Sequence, residues 1–445
     1  MRPYVDFADS KGMLLWVIYG IGYLLSPHTY YGVWVLSCLC YGGILYYNYK
    51  TAQLFLGDTR RSLAVAMVMP FFYFQYWFHD DVRAEDFCTL FVSVSLYLML
   101  RVLCSNGYVE NVRRTGLVLG GCFMALMMIK FNIAAMQATM ILVIIYSCMR
   151  SDRSRIVPLM SWMALAMAAV ALPFVIYLLL RGSFTAFIVE YFVKTMKTVN
   201  SEEGSLDTSY LGEVSIILGS AKHLAMLLAL VISGWLASRR LFTLKYTPLL
   251  IALFFYAICI HHTLFHYHKI CCIFLIFLPI HCLSYANVRL RTRHIMILAA
   301  VIIGWGVFEN SREDSHLHNV SYWQGNTRES DYALFSGLIQ GHRPTILYLY
   351  GCDYGYGLAC DALPAGKYWS YQLGTTPEME QEHLRPLLEG TADYIVVNDY
   401  KRAQDKGFSH WRICSLGYRQ LCNTKYFDFS NRHLENRIYQ REDLE

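Results

Sequence analysis

The chain has 445 residues, of which 56% are hydrophobic and only 16% charged, and its formal net charge is +5. A soluble domain carries about 25% charge, so this composition excludes an ordinary soluble enzyme. The basic excess sits in short clusters between apolar runs, which excludes a nucleic-acid surface and reads as an orientation signal instead.

Residues 4–12, YVDFADSKG, carry Asp6, Asp9 and Lys11 just ahead of an apolar, aromatic stretch at 12–26 that Pro27 closes. If that stretch crossed the membrane, every later basic loop would face outward. It reads instead as an interfacial helix on the outer leaflet. A lysine at headgroup depth either pairs with a lipid phosphate or snorkels, and both readings are open for Lys11.

Apolar runs follow at 30–48, 62–78, 86–104, 115–129, 133–149, 157–180, 214–236, 247–264, 270–286 and 295–310. Runs of about 18 residues cross a hydrocarbon core of roughly 30 Å. The expected fold is therefore an all-α polytopic membrane bundle of about ten transmembrane helices plus the interfacial helix. Two kinds of loop alternate between the runs. One kind is basic, with Arg60 and Arg61, Arg113 and Arg114, Arg150 to Arg155, Arg239 and Arg240, and Arg289 to Arg293. Such loops stay cytoplasmic, so the others face out. The expected location is the plasma (inner) membrane, multi-pass.

The outward side collects the unusual polar groups. HDDVRAED, residues 79–86, holds four carboxylates, with Asp81, Arg83 and Glu85 among its charges. A carboxylate near other negative charge can serve as a general base. His79, Asp80 and Asp81 could instead hold a divalent cation, or the loop could simply be solvated. Lys130 stands between two runs with no room for a long loop. It binds an anionic headgroup or snorkels. His266, Tyr267 and His268 lie in IHHTLFHYHK, 260–269, where metal ligation competes with ordinary interfacial histidines. No CxxC or Cys/His spacing suggests zinc, and no cofactor is indicated. The outward loop 181–213 carries Glu190 and Lys194 among aromatic residues. It covers an entrance or lies as an amphipathic helix on the membrane.

Polarity rises after 310, so the chain divides into 1–310, the transmembrane domain, and 311–445, a small soluble domain on the extracytoplasmic side. TILYLYG (345–351) and ADYIVVND (392–399) read as buried strands, with 378–390 as the helix between them. That unit predicts a small α/β domain. Cys352, Cys360, Cys414 and Cys422 are open to disulfide pairing there.

Several segments resemble the GT-C glycosyltransferases, in the branch of the protein O-mannosyltransferases and lipid A aminoarabinose transferases. PYVDFADSKGMLLWVIYGIG resembles their "PYxDFxxxKGPLLYxxYxxG". RAEDFCTLFVSVSLYLML resembles the start of a span with an acidic residue before "xxLPFxxLxLYLxL". GLVLGGCFMALMMIKFNIAA resembles "GxxxGxxFLxKxxxA", and HYHKICCIFLIFLP resembles "HYxLxLxP". The match runs in order over residues 3–310. It implies sugar transfer from a polyprenyl-phosphate donor to a glycan, lipid or protein acceptor at the outer membrane face. By resemblance Lys11 matches the lysine that meets the donor phosphate, and Lys130 and His266 match positions lining the outward cavity; the phosphate-binding set expected here is Lys11 with Lys130 and Arg83. Glu85 would be the acidic residue, aided by Asp6 or Asp9, and Asp81, His266, Tyr267 and His268 would line the cavity. The family has a spanning helix and an aspartate-bearing loop ahead of this point, so the expectation is a start placed too late or a shortened copy. Met13 stands where the family usually has proline. Two rival readings are a lipid-linked sugar transporter or flippase, and a non-catalytic envelope-assembly protein. Ionisable groups near the midplane and internal repeats would favour the transporter.

Overall fold

The computed structural model describes residues 2–27, 31–77, 84–195, 272–285, 290–312, 343–349, 360–368, 377–397, 400–427 and 433–444, with isolated residues besides. The expected runs 214–236 and 247–264 lie almost wholly outside the described residues.

The chain opens with α1, Met13–Leu25, whose 13 residues rise only about 20 Å. That length falls short of a hydrocarbon core, as expected of an interfacial helix. Then come α2 (Tyr31–Leu56), α3 (Thr59–Trp77), α4 (Ala84–Cys104), α5 (Val112–Ile129), α6 (Phe131–Ser151) and α7 (Ile156–Leu180). Four helical segments, Ala84–Cys104, Val112–Ile129, Phe131–Ser151 and Arg153–Leu180, are long and apolar enough to cross a membrane. Further helices, α9 (Phe277–Tyr285) and α10 (Thr292–Arg312), fall where the last two runs were expected. This is a multi-pass membrane protein.

Local chemistry sets the helix ends. Asn111 caps α5 by accepting from the Arg114 N–H at 2.9 Å, which satisfies one of the donors a helix start leaves over. Among the described helices, α5 and α7 make the most extensive pairing. Gly116 and Gly120, a small-xxx-small pair, let the backbones meet: a Cβ on Gly120 would lie 2.2 Å from the Met163 carbonyl oxygen. Van der Waals packing of this kind replaces the hydrophobic drive that helices lack inside lipid.

The bundle has two chemically distinct ends. At one, Arg155 reaches the Val109 carbonyl and Tyr108, and Ser151 donates to the Gly107 carbonyl at 2.8 Å. The α4–α5 connection, flanked by Arg101, Arg113 and Arg114, and the arginine-bearing α6–α7 connection therefore gather there. At the opposite end the start of α4 meets the α5–α6 junction through Glu85 and Lys130.

Beyond α10 lies a five-stranded sheet of order β2-β1-β3-β5-β4. Its strands are β1 (Thr345–Leu349), β2 (Leu363–Pro364), β3 (Tyr394–Val397), β4 (Tyr418–Phe427) and β5 (His433–Arg441). β1 pairs parallel with β2 and β3, while β5 runs antiparallel to β3 and β4. Successive strand residues alternate faces. Leu347, Leu349, Ile395 and Val397 thus enter one core, while Ile346, Tyr348, Tyr394 and Val396 enter the other. α11 (Pro377–Leu388) connects toward β3 as the α/β reading required. Two short helices, α12 (Tyr400–Asp405) and α13 (His410–Ser415), precede β4. No disulfide joins Cys360, Cys414 and Cys422 to one another among the described residues, and Cys352 lies outside them.

Candidate functional site

The α5–α6 connection is a single residue. Lys130 has an extended backbone, φ −157° and ψ 95°, and ends one helix while starting the next. A break like this frees backbone groups that hydrocarbon cannot satisfy, and here other segments satisfy them. The Gly12 N–H donates to the Ile129 carbonyl at 3.0 Å. The Tyr191 hydroxyl donates to the Met127 carbonyl at 2.8 Å and accepts from the Phe131 N–H at 3.0 Å. The break is thus held from both sides, and its side chain pairs with Glu85 in the first turn of α4. Glu85 is only 5% exposed and Lys130 16%.

The loop before α1 is braced as tightly. Asp9 accepts from the Trp16 indole at 2.8 Å and from the Lys11 N–H at 3.0 Å. The Tyr4 hydroxyl donates to the Lys11 carbonyl at 2.7 Å, and the Tyr4 ring stacks on Trp16. The Lys11 ammonium donates to Ser10 at 3.0 Å, and the Gly12–Ile129 bond sets Lys11 beside the Lys130 break. Asp9 keeps some exposed surface but lies deep among neighbouring atoms. That burial raises its carboxyl above the usual range, with Lys11 and Trp16 pulling the other way. Two lysines and one buried carboxylate therefore converge at one end of the bundle. Such a set can bind an anion and steer charge that develops beside it.

No protein-family model and no curated protein sequence matches this chain. Solved structures do. ArnT from Cupriavidus metallidurans bound to undecaprenyl phosphate superposes with a TM-score of 0.56 at 11% identity, covering 98% of this chain and 89% of that one. The apo state of the same protein gives 0.60 at 11% identity, covering 99% and 89%. This chain has the ArnT fold. The likeness is one of fold, and it spans the membrane part over which the sequence resemblance was drawn.

Within this ArnT-like fold the expected site residues separate into groups. Glu85, Lys130, Asp9 and Lys11 come together. Asp6 turns to Arg2, with ion-pair atoms 3.3 Å apart, and the Arg2 N–H and side chain hold its carboxyl below the usual range. Asp81, Arg83, His266, Tyr267 and His268 lie outside the described residues. Both proposed metal clusters fall there too.

The fold adds a second carboxylate centre. Glu190 sits in a π-helical turn, Ile188–Lys194, beyond the short α8 (Phe184–Phe187). It receives Lys367 at 2.6 Å, Lys194 at 3.0 Å and the Tyr368 hydroxyl at 2.8 Å. Lys367 and Tyr368 belong to the segment after β2, so sheet and bundle meet here. The Lys367 carbonyl also accepts from the Ala8 N–H at 2.8 Å, beside Asp9. Glu190 and Lys367 are 177 positions apart, and no sequence pattern joins them.

Burial pushes the Glu190 carboxyl up, but the hydrogen bonds from Lys367, Lys194 and Tyr368 outweigh it and hold the group below its ordinary 4.5. A carboxyl whose folded pKa is depressed stabilises the fold above its unfolded value, and that contribution is lost as pH falls through the folded one. Glu190→Gln is therefore expected to melt below the parent at neutral pH. The gap should close as pH drops below about 4.5. Thermal midpoints of both proteins against pH check this, and a gap independent of pH would refute it.

Proposed function

We propose that this protein is a membrane glycosyltransferase that moves a sugar from a polyprenyl-phosphate donor to an acceptor hydroxyl at the outer face of the membrane. The observation that supports it most is the Lys130 break, with its buried Glu85 partner and with Lys11 held beside it by the Gly12–Ile129 bond. In the reaction the acceptor oxygen bonds to the anomeric carbon as the bond from that carbon to the phosphate oxygen breaks. The polyprenyl phosphate leaves as an anion, and cations at headgroup depth stabilise that developing charge. Lys11 and Lys130 take this role. Glu85 orients Lys130 through Oε1, and its other oxygen receives the acceptor proton. Asp9 is assigned to the loop, as the brace that aims Lys11, and Asp6 receives no chemical role. ArnT has been crystallised with undecaprenyl phosphate bound, and a lipid phosphate of that class is the donor carrier assigned here.

In this reading the sheet is part of an extracytoplasmic domain that begins near 311, on the side where the acceptor arrives. A transporter reading is less well supported. Glu85, Lys130 and Glu190 lie at helix ends or beyond them rather than at mid-span. The test is transfer of labelled sugar from a panel of polyprenyl-phosphate-linked donors in proteoliposomes. Lys11→Ala and Glu85→Gln are each expected to lower turnover by about two orders of magnitude or more. Unchanged turnover in both would end the assignment. Movement of the lipid-linked sugar across the bilayer without covalent transfer would favour the flippase.

A further inference from the structure

The π-helical turn Ile188–Lys194 touches both halves of the lysine site. π-Turns are rare and recur at functional sites, because the extra residue strains the helix and persists only where neighbours hold it. Here two adjacent side chains point different ways. Tyr191, fully buried, places its hydroxyl in the gap between Met127 and Phe131 and so spans the Lys130 break. Its ring stacks on Phe187, with centroids 5.4 Å apart, and meets Phe131 edge-on at 5.4 Å. Glu190, 6% exposed, holds Lys367 and Tyr368. The backbone of Lys367 in turn holds Ala8, one residue from Asp9 and three from Lys11. Tyr4 closes the circuit, packing edge-on against Phe187 while bonded to the Lys11 carbonyl.

We infer that this π-turn is the positioning element of the anion site: Tyr191 sets Lys130, and Glu190 sets Lys11 through the Lys367 segment. The inference rests on the donor-phosphate role assigned to the two lysines above. It gives the sheet unit a part in donor binding, because its Gly366–Tyr368 segment becomes one wall of the lysine loop. Tyr191 and Glu190 are positioning residues, since neither is assigned a contact with the reacting atoms. A one-residue shift that turned the π-turn into regular α-helix would swing the two side chains about 100° around the axis and release both holds.

The experiment is titration of the purified protein with a polyprenyl phosphate, which needs no knowledge of the sugar. Tyr191→Phe keeps the ring stack and removes only the hydroxyl. Glu190→Gln keeps the shape and removes the charge. Each is expected to weaken binding about five- to tenfold, the worth of roughly one hydrogen bond. The losses should be non-additive with the lysine each residue sets. Tyr191→Phe should cost little in a Lys130→Ala background, and Glu190→Gln little in a Lys11→Ala background. Lys367→Arg should restore most of the affinity that Lys367→Met loses. If the parent shows no saturable binding, the donor assignment and this inference both fall. If the parent binds and both variants bind equally well, or if all losses simply add, the lysine site stands and the positioning role is overturned.

Discussion

Lys130→Met is expected to destabilise the protein by about 3–5 kcal/mol and to lower transfer by two to three orders of magnitude. The stability loss comes from Glu85. With 5% of its side chain exposed, it would be left as a buried carboxylate without its cation. Removing one member of a buried pair costs far more than removing both, because the survivor keeps its full desolvation penalty. The double variant Glu85→Gln/Lys130→Met should therefore regain most of the lost stability. It should regain none of the transfer, since the ammonium that meets the phosphate is still absent. Denaturation in mixed micelles beside the proteoliposome assay separates the two effects. A double variant no more stable than Lys130→Met would mean that Glu85 finds other partners, and the pair would lose its central place.

How far this arrangement was readable in sequence depends on distance along the chain. Lys130 announced itself because a lysine between two apolar runs leaves no space for a loop, and the break is indeed one residue long. Glu85 stood at the start of a run, and α4 begins one residue before it. β1 and β3 were readable as short continuous apolar runs, and α11 because its buried Met379, His383, Pro386 and Leu387 recur at the helical period. β4 and β5 were not: YRQLCNTKYF mixes charged and polar residues along its length and offers no clean alternation. The Glu190 centre was out of reach for another reason. Its partners come from the far side of the chain, and a glutamate in a long outward loop reads as solvated until a lysine 177 positions away is brought to it. Asp9 was noticed for its charge, but its role as a brace depends on Trp16, seven positions on, facing back toward it.

Gly12→Ala should disable the site without touching any ionisable group. Gly12 has φ −83° and ψ 162°, a conformation open to any residue, so the glycine is not there for backbone freedom. It is there for closeness. A Cβ at this position would lie 2.1 Å from the Met128 carbonyl oxygen and 2.4 Å from its carbonyl carbon. Both are backbone atoms and cannot rotate away, so the loop itself must lift. Lifting breaks the bond from the Gly12 N–H to the Ile129 carbonyl, and Lys11, the preceding residue, moves with it. Overpacking of this kind costs about 1–3 kcal/mol. A shift near 1 Å at a reacting group is expected to cost about a hundredfold in rate. Gly20→Ala is the matched control. It lies in α1, the helix that Gly12 precedes, with nothing within 4 Å of the added methyl, and should be neutral or slightly stabilising by about 0.5–1 kcal/mol. Thermal midpoints and polyprenyl phosphate affinity of the two variants decide the matter. If Gly12→Ala matches Gly20→Ala in both, the lysine loop does not seat on the helix break, and Lys11 and Lys130 cannot act on one phosphate.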